Sequence, residues 1–187
     1  MTTATHDTLG RRLRIAAWSG AVFLLLLPFV AMQFTREVQW DAFDFLVFGI
    51  MLLVAGGAFD LLTRMGGGWP YRIGAAIGVF AGFFLIWVNL AVGIIGSEDN
   101  PANILYALVI TIAVGGAIVS HARARGMSRT FALAAVAQVA IGALALAMGL
   151  GEGSRIYPRD IIGATLIVTT LWLAAAGAFA IAARNGD

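Results

Sequence analysis

Six apolar stretches separated by short polar breaks set the pattern of this chain: residues 15–34, 43–63, 73–96, 102–120, 131–150 and 161–183. As a helix, each is long enough to cross a hydrocarbon core of roughly 30 Å. Backbone groups in lipid must bond within their own segment, so each stretch is expected to be a helix. The pattern predicts an all-α membrane protein: a six-transmembrane-helix bundle forming a single domain over residues 1–187. The breaks are too short to hold a separate soluble domain.

The first stretch follows "RRLR", as a signal peptide would. Its apolar run is too long for such a peptide, and Phe29 stands where a small residue would precede cleavage. It is read as a retained first span, with Pro28 inside it. Orientation follows the arginines, since basic residues favour the cytoplasmic side. With the N-terminus inside, nine of the twelve arginines fall on cytoplasmic segments: Arg11, Arg12, Arg14, Arg64, Arg72, Arg123, Arg125, Arg129 and Arg184. Arg36, Arg155 and Arg159 fall outside. Both termini are then cytoplasmic.

Composition agrees with this class. Hydrophobic residues make up 60% of the chain and charged residues 12%, against roughly half and a quarter in soluble domains. Mean hydropathy is +0.91. The net charge of +2 is carried entirely by arginine, without the basic stripe that a nucleic-acid partner requires. The absence of cysteine removes disulfides, thiolate metal sites and cysteine nucleophiles.

Candidate chemistry is sparse. The loop "SEDNP" has two readings. In one it is a turn: Asn100 caps the fourth span, Pro101 opens it, Asn103 bonds back towards the cap, and Glu98 and Asp99 face the helix N-terminus. In the other it is an outer-face cation or polar-solute site, with Glu98, Asp99, Asn100 and Asn103 joined by Glu37, Asp41 and Asp44 from the first outer loop. Oxygen donors of this kind suit hard cations, although the spacing matches no EF-hand and leaves the metal open. Asp41 and Asp44 also fit as caps of the second span. Asn89 and Gln138 lie within spans and are expected to pair or to line a cavity. Asp60, also intramembrane, has Arg64 four residues on, the spacing of a helical ion pair. Gly74, Gly78 and Gly82 recur every four residues and form a face on which another helix can pack closely. His6 and His121 lie away from mid-membrane, and neither HExxH nor GxSxG occurs.

The block "WVNLAVGIIGSEDNPAN", with "RGMSR" and "FALAAVAQ" downstream, resembles a group of small multi-pass bacterial inner-membrane proteins of uncharacterised function. The resemblance implies a bacterial inner (cytoplasmic) membrane and supplies no site residue. The residues themselves favour a non-catalytic protein without a cofactor. It would be an accessory or assembly subunit in the lipid bilayer, packing through its glycine face as a homo-oligomer or within a larger membrane complex. The alternative is a small transporter or channel for a cation or small polar solute, with an acidic outer entrance.

Overall fold

The computed structural model describes residues 18–35 and 39–186. Among these the regular structure is entirely helical. Five helices are long and apolar enough to cross a membrane, and a shorter apolar helix, α1, covers Trp18–Ala31. Their composition and their many exposed apolar side chains, such as Phe43, Leu53, Leu108, Val119 and Leu166, suit a lipid surround. The chain divides into two compact units, Met1–Gly57 and Ala58–Asp187.

In the first unit, α1 lies against the N-terminal part of α2 (Ala42–Met65). Leu25 faces Gly49 and the Trp18 ring covers Gly56. The start of α2 is a reciprocal cap. Asp41 Oδ1 accepts from the N–H groups of Phe43 (2.7 Å) and Asp44 (3.0 Å). Asp44 Oδ2 accepts from the Asp41 N–H at 2.9 Å. Three N-terminal donors without helical partners are thus satisfied by two carboxylates. Trp40 packs edge-on against Phe45 and Phe48, with ring centroids 5.3 and 5.2 Å apart.

The second unit holds the end of α2, then α3 (Trp69–Ala91), α4 (Tyr106–Val119), α5 (Ala124–Ala147) and α6 (Arg159–Arg184). Helix α6 packs chiefly on α5 and α3, and α4 packs on α5. Asp60 and Arg64 form the expected i,i+4 ion pair, at 2.5 Å, and both are exposed. Such a pair contributes a few tenths of a kcal/mol, roughly 0.3–0.5.

Three boundaries, on helices α3 and α5, differ from the apolar pattern, each for a physical reason. Helix α3 starts at Trp69 rather than 73, because Pro70 in the first turn lacks only an N–H that would have no helical partner. It stops at Ala91 rather than 96. Gly93, at φ +68°, turns the chain and donates its N–H back to the Val88 carbonyl. Helix α5 starts at Ala124 rather than 131, which draws Arg125 and Arg129 onto the helix. Arginine is a good helix former whose stem lies along apolar surface while its head reaches water, so hydropathy alone places this start too late.

Aromatic rings fill the centre of the second unit. Phe131 stacks on Trp172 at 5.3 Å and on Phe179 at 5.6 Å, and Tyr71 meets Phe179 edge-on at 4.9 Å. Each such pair contributes about 0.5–1.5 kcal/mol beyond area burial. The Tyr71 hydroxyl donates to the Ala122 carbonyl at 2.7 Å, which ties α3 to the α4–α5 turn. In that turn His121 and Ala122 both adopt positive φ, 51° and 53°.

Candidate functional site

The glycine ladder of α3 is filled from within the chain. A Cβ on Gly74 would lie 2.8 Å from the Phe179 ring, one on Gly78 2.6 Å from Phe131, and one on Gly82 3.7 Å from Trp172. The expected packing face therefore exists, and its occupants are rings of α5 and α6. A partner helix has no access to Gly74 and Gly78, which are buried.

The "SEDNP" stretch folds around two asparagines. Asn103 Oδ1 accepts from the N–H groups of Ile94 (3.0 Å) and Ile95 (2.9 Å), and its Nδ2 donates to the Ser97 carbonyl at 2.7 Å. Asn103 thus holds the preceding loop instead of bonding back to the cap. Asn100 Oδ1 accepts from the Ala102 N–H at 3.0 Å and caps a short 3-10 helix, Pro101–Leu105, that leads into α4. Its Nδ2 donates to the Leu150 carbonyl at 2.9 Å, joining this loop to the α5–α6 connection. Both amide oxygens are engaged by backbone N–H groups. Glu98 and Asp99 are exposed. Among the described residues, no three His, Asp or Glu side chains are grouped so that they could hold a metal ion. Asp41 and Asp44 serve as caps in the first unit, and Glu37 lies outside the described residues.

A different cluster emerges inside the second unit. Gln138 is fully buried, and neither atom of its amide has a hydrogen-bond partner among the described residues. The same holds for the buried side-chain atoms Tyr106 Oη, Thr165 Oγ1, Thr169 Oγ1, Trp172 Nε1, Asp160 Oδ2 and Asn89 Oδ1. Most of these form a row. Thr165 lies within reach of the Tyr106 hydroxyl for a weak, poorly formed hydrogen bond, and the Asp160 carboxylate acts on that hydroxyl through its charge. Thr165 lies directly over Gly142 of α5, where the absence of a side chain lets α5 and α6 come close. From that contact the antiparallel register continues: one turn back along α5 is Gln138, and one turn on along α6 is Thr169. Trp172 follows on the same face of α6. By helix periodicity the order along this face is Asp160, Tyr106, Thr165, then Gln138 and Thr169, then Trp172.

Asn89 stands apart. Its Nδ2 donates to the Leu85 carbonyl of its own helix at 2.8 Å, so the expected pair with Gln138 does not form. A side-chain amide one turn beyond a helical carbonyl satisfies its donor locally and has no need to cross to another helix.

Chemically, the row offers an amide, two aliphatic hydroxyls, a phenol and an indole N–H, with a carboxylate at one end. Apart from Asp160 it is neutral. It can exchange hydrogen bonds with a small molecule but offers no counter-charge along its length. The sequence reading found Gln138 and missed Tyr106, Thr165, Thr169 and Trp172. The signal was present in "ATLIVTTLW", where Thr165, Thr169 and Trp172 are spaced four and three apart on one helix face.

The described residues form an all-helical fold with five helices long and apolar enough to span a membrane, and a few unpartnered polar groups lie within its apolar core. No family model, curated protein or solved structure matches the chain.

Proposed function

We propose that the second unit binds and passes a small uncharged polar solute through the row formed by Tyr106, Thr165, Gln138 and Thr169. The protein is read as a non-catalytic permease of a bacterial inner membrane, with both termini cytoplasmic. Arginine asymmetry and the resemblance of the "SEDNPAN" block support that placement. The observation that carries the reading is the Gln138 amide, fully buried with both atoms unpartnered. An unsatisfied buried polar atom costs about 1–3 kcal/mol. Seven such atoms lie along the row, Asn89 Oδ1 being apart, and a ligand there would complete their bonds. The neutral donors and acceptors favour an uncharged solute, because an unpaired ion in a dry interior costs several kcal/mol.

Passage requires α5 to part from α4 or α6. Those contacts rest in part on the short side chains of Thr130 and Thr165 seated in the notches at Gly116 and Gly142, which are small contacts to break.

The test is solute flux. Stopped-flow light scattering on proteoliposomes measures permeability to water, glycerol and urea. The wild type should exceed empty vesicles for at least one of them. Gln138→Met should cut that excess roughly tenfold, the equivalent of one hydrogen bond to the solute. A folded Gln138→Met protein with unchanged permeability would sink the proposal.

A further inference from the structure

A groove of about 430 Å³ lies between the start of α5 and the end of α6, lined by Arg125, Ser128, Arg129, Ala180, Ala183 and Arg184. Three arginines line it, with no carboxylate among the lining residues. None of the three has an acidic partner among the described residues. A topological preference for arginine on one side of a membrane accounts for basic residues at this end of the helices. It does not account for three of them, from two helices, meeting in one concavity, where like charges repel. An anion removes that repulsion. The N-terminal turn of α5 and the C-terminal turn of α6 bring opposite partial charges that offset each other, so the attraction for an anion rests on the arginines, with Ser128 adding a hydroxyl donor.

We propose that this groove binds a phosphate group. Arginine forks match phosphate oxygens in pairs, which singles phosphate out among common anions. The surroundings favour a phospholipid with an acidic headgroup as its source. The groove sits at the end of two long apolar helices, where headgroups lie. One turn deeper, the exposed apolar side chains of Leu133, following Arg129, and Ile181, preceding Arg184, continue the surface towards the acyl region. A soluble phosphate would use the arginines and leave that apolar surface unused.

The test uses the full chain in a neutral detergent and follows thermal unfolding with three additives: short-chain phosphatidylglycerol, short-chain phosphatidylcholine and inorganic phosphate. Phosphatidylglycerol at a hundredfold excess over its Kd should raise the midpoint by about 5–10 °C, with phosphatidylcholine and phosphate giving little. The triple variant Arg125→Gln, Arg129→Gln, Arg184→Gln should lose most of that shift. The charge-matched control Arg64→Gln, Arg72→Gln, Arg123→Gln should keep it. Native mass spectrometry of the wild type should show phosphatidylglycerol bound, which provides a readout independent of the variants' folding. An equal shift with inorganic phosphate alone would keep the phosphate site and assign it to a soluble anion. No shift with either phosphatidylglycerol or phosphate, or a full shift in the triple groove variant, would overturn the proposal.

Discussion

Two polar regions of the second unit have opposite hydrogen-bond economies. In the loop before α4, Asn100 and Asn103 use both atoms of their amides, and every partner is backbone. In the α5–α6 interior, Gln138 uses neither. The same chemical group does two different jobs. In the loop it replaces missing secondary structure: Ile94 and Ile95 are buried, their N–H groups have left α3, and the Asn103 oxygen takes both. In the interior the surrounding helices already satisfy their own backbone, so the glutamine has no structural bond to make. A satisfied amide explains a fold, whereas an unsatisfied one requires something the fold does not contain.

The largest effect expected from this contrast is in the loop. Asn103→Ala leaves two buried N–H groups without an acceptor, at a cost of about 2–5 kcal/mol. Asn103→Asp keeps the acceptor, loses the donor to Ser97 and should fall between the two. Reversible unfolding in mixed detergent micelles measures both. An alanine variant within 0.5 kcal/mol of wild type would mean that the loop is not built on this side chain.

The interior should respond with the opposite sign. Gln138→Met conserves volume and flexibility and removes two unpaired polar atoms, so stability should rise by about 1–2 kcal/mol. The same variant should lose flux, and a gain in stability with a loss of activity is the usual mark of a binding residue. A loss of stability would show that Gln138 is bonded in the membrane, which would erase the contrast.

How far the sequence revealed each region depends on whether bonding is local. Five of the six expected spans were legible as long apolar helices because hydropathy is read residue by residue, whereas the first stretch forms the shorter helix Trp18–Ala31. The cap at Asp41 and Asp44 and the pair of Asp60 with Arg64 were legible because both lie within one helical turn. Asn100 as a cap was legible for the same reason. The bonds from Asn103 to Ile94 and Ile95 were not, since they cross eight and nine residues of irregular chain. The occupants of the glycine ladder were hidden too. A bare helix face shows that something packs closely but does not distinguish a second chain from Phe131 and Phe179 of the same one. The row at Thr165 and Thr169 was hardest to see. Threonine in a helix commonly bonds the carbonyl one turn back, as Thr170 does to Leu166 at 2.7 Å, and sequence cannot show which threonine fails to do so.

The smallest expected effect separates the two regions as routes for a solute. Glu98 and Asp99 are exposed beside the asparagine turn, and an exposed charge away from any partner rarely changes stability by more than about 0.5 kcal/mol. Replacing both with their amides, Glu98→Gln and Asp99→Asn, should leave unfolding unchanged. If the solute is uncharged, permeability should be unchanged as well, because carboxylates at the rim act on a solute through its charge. A cation would behave differently: its flux would fall in the double variant, and the fall would shrink as ionic strength rises and screens the rim. That salt dependence would make the acidic loop an entrance and would require a counter-charge within the row, for which Asp160 is the one carboxylate placed to serve.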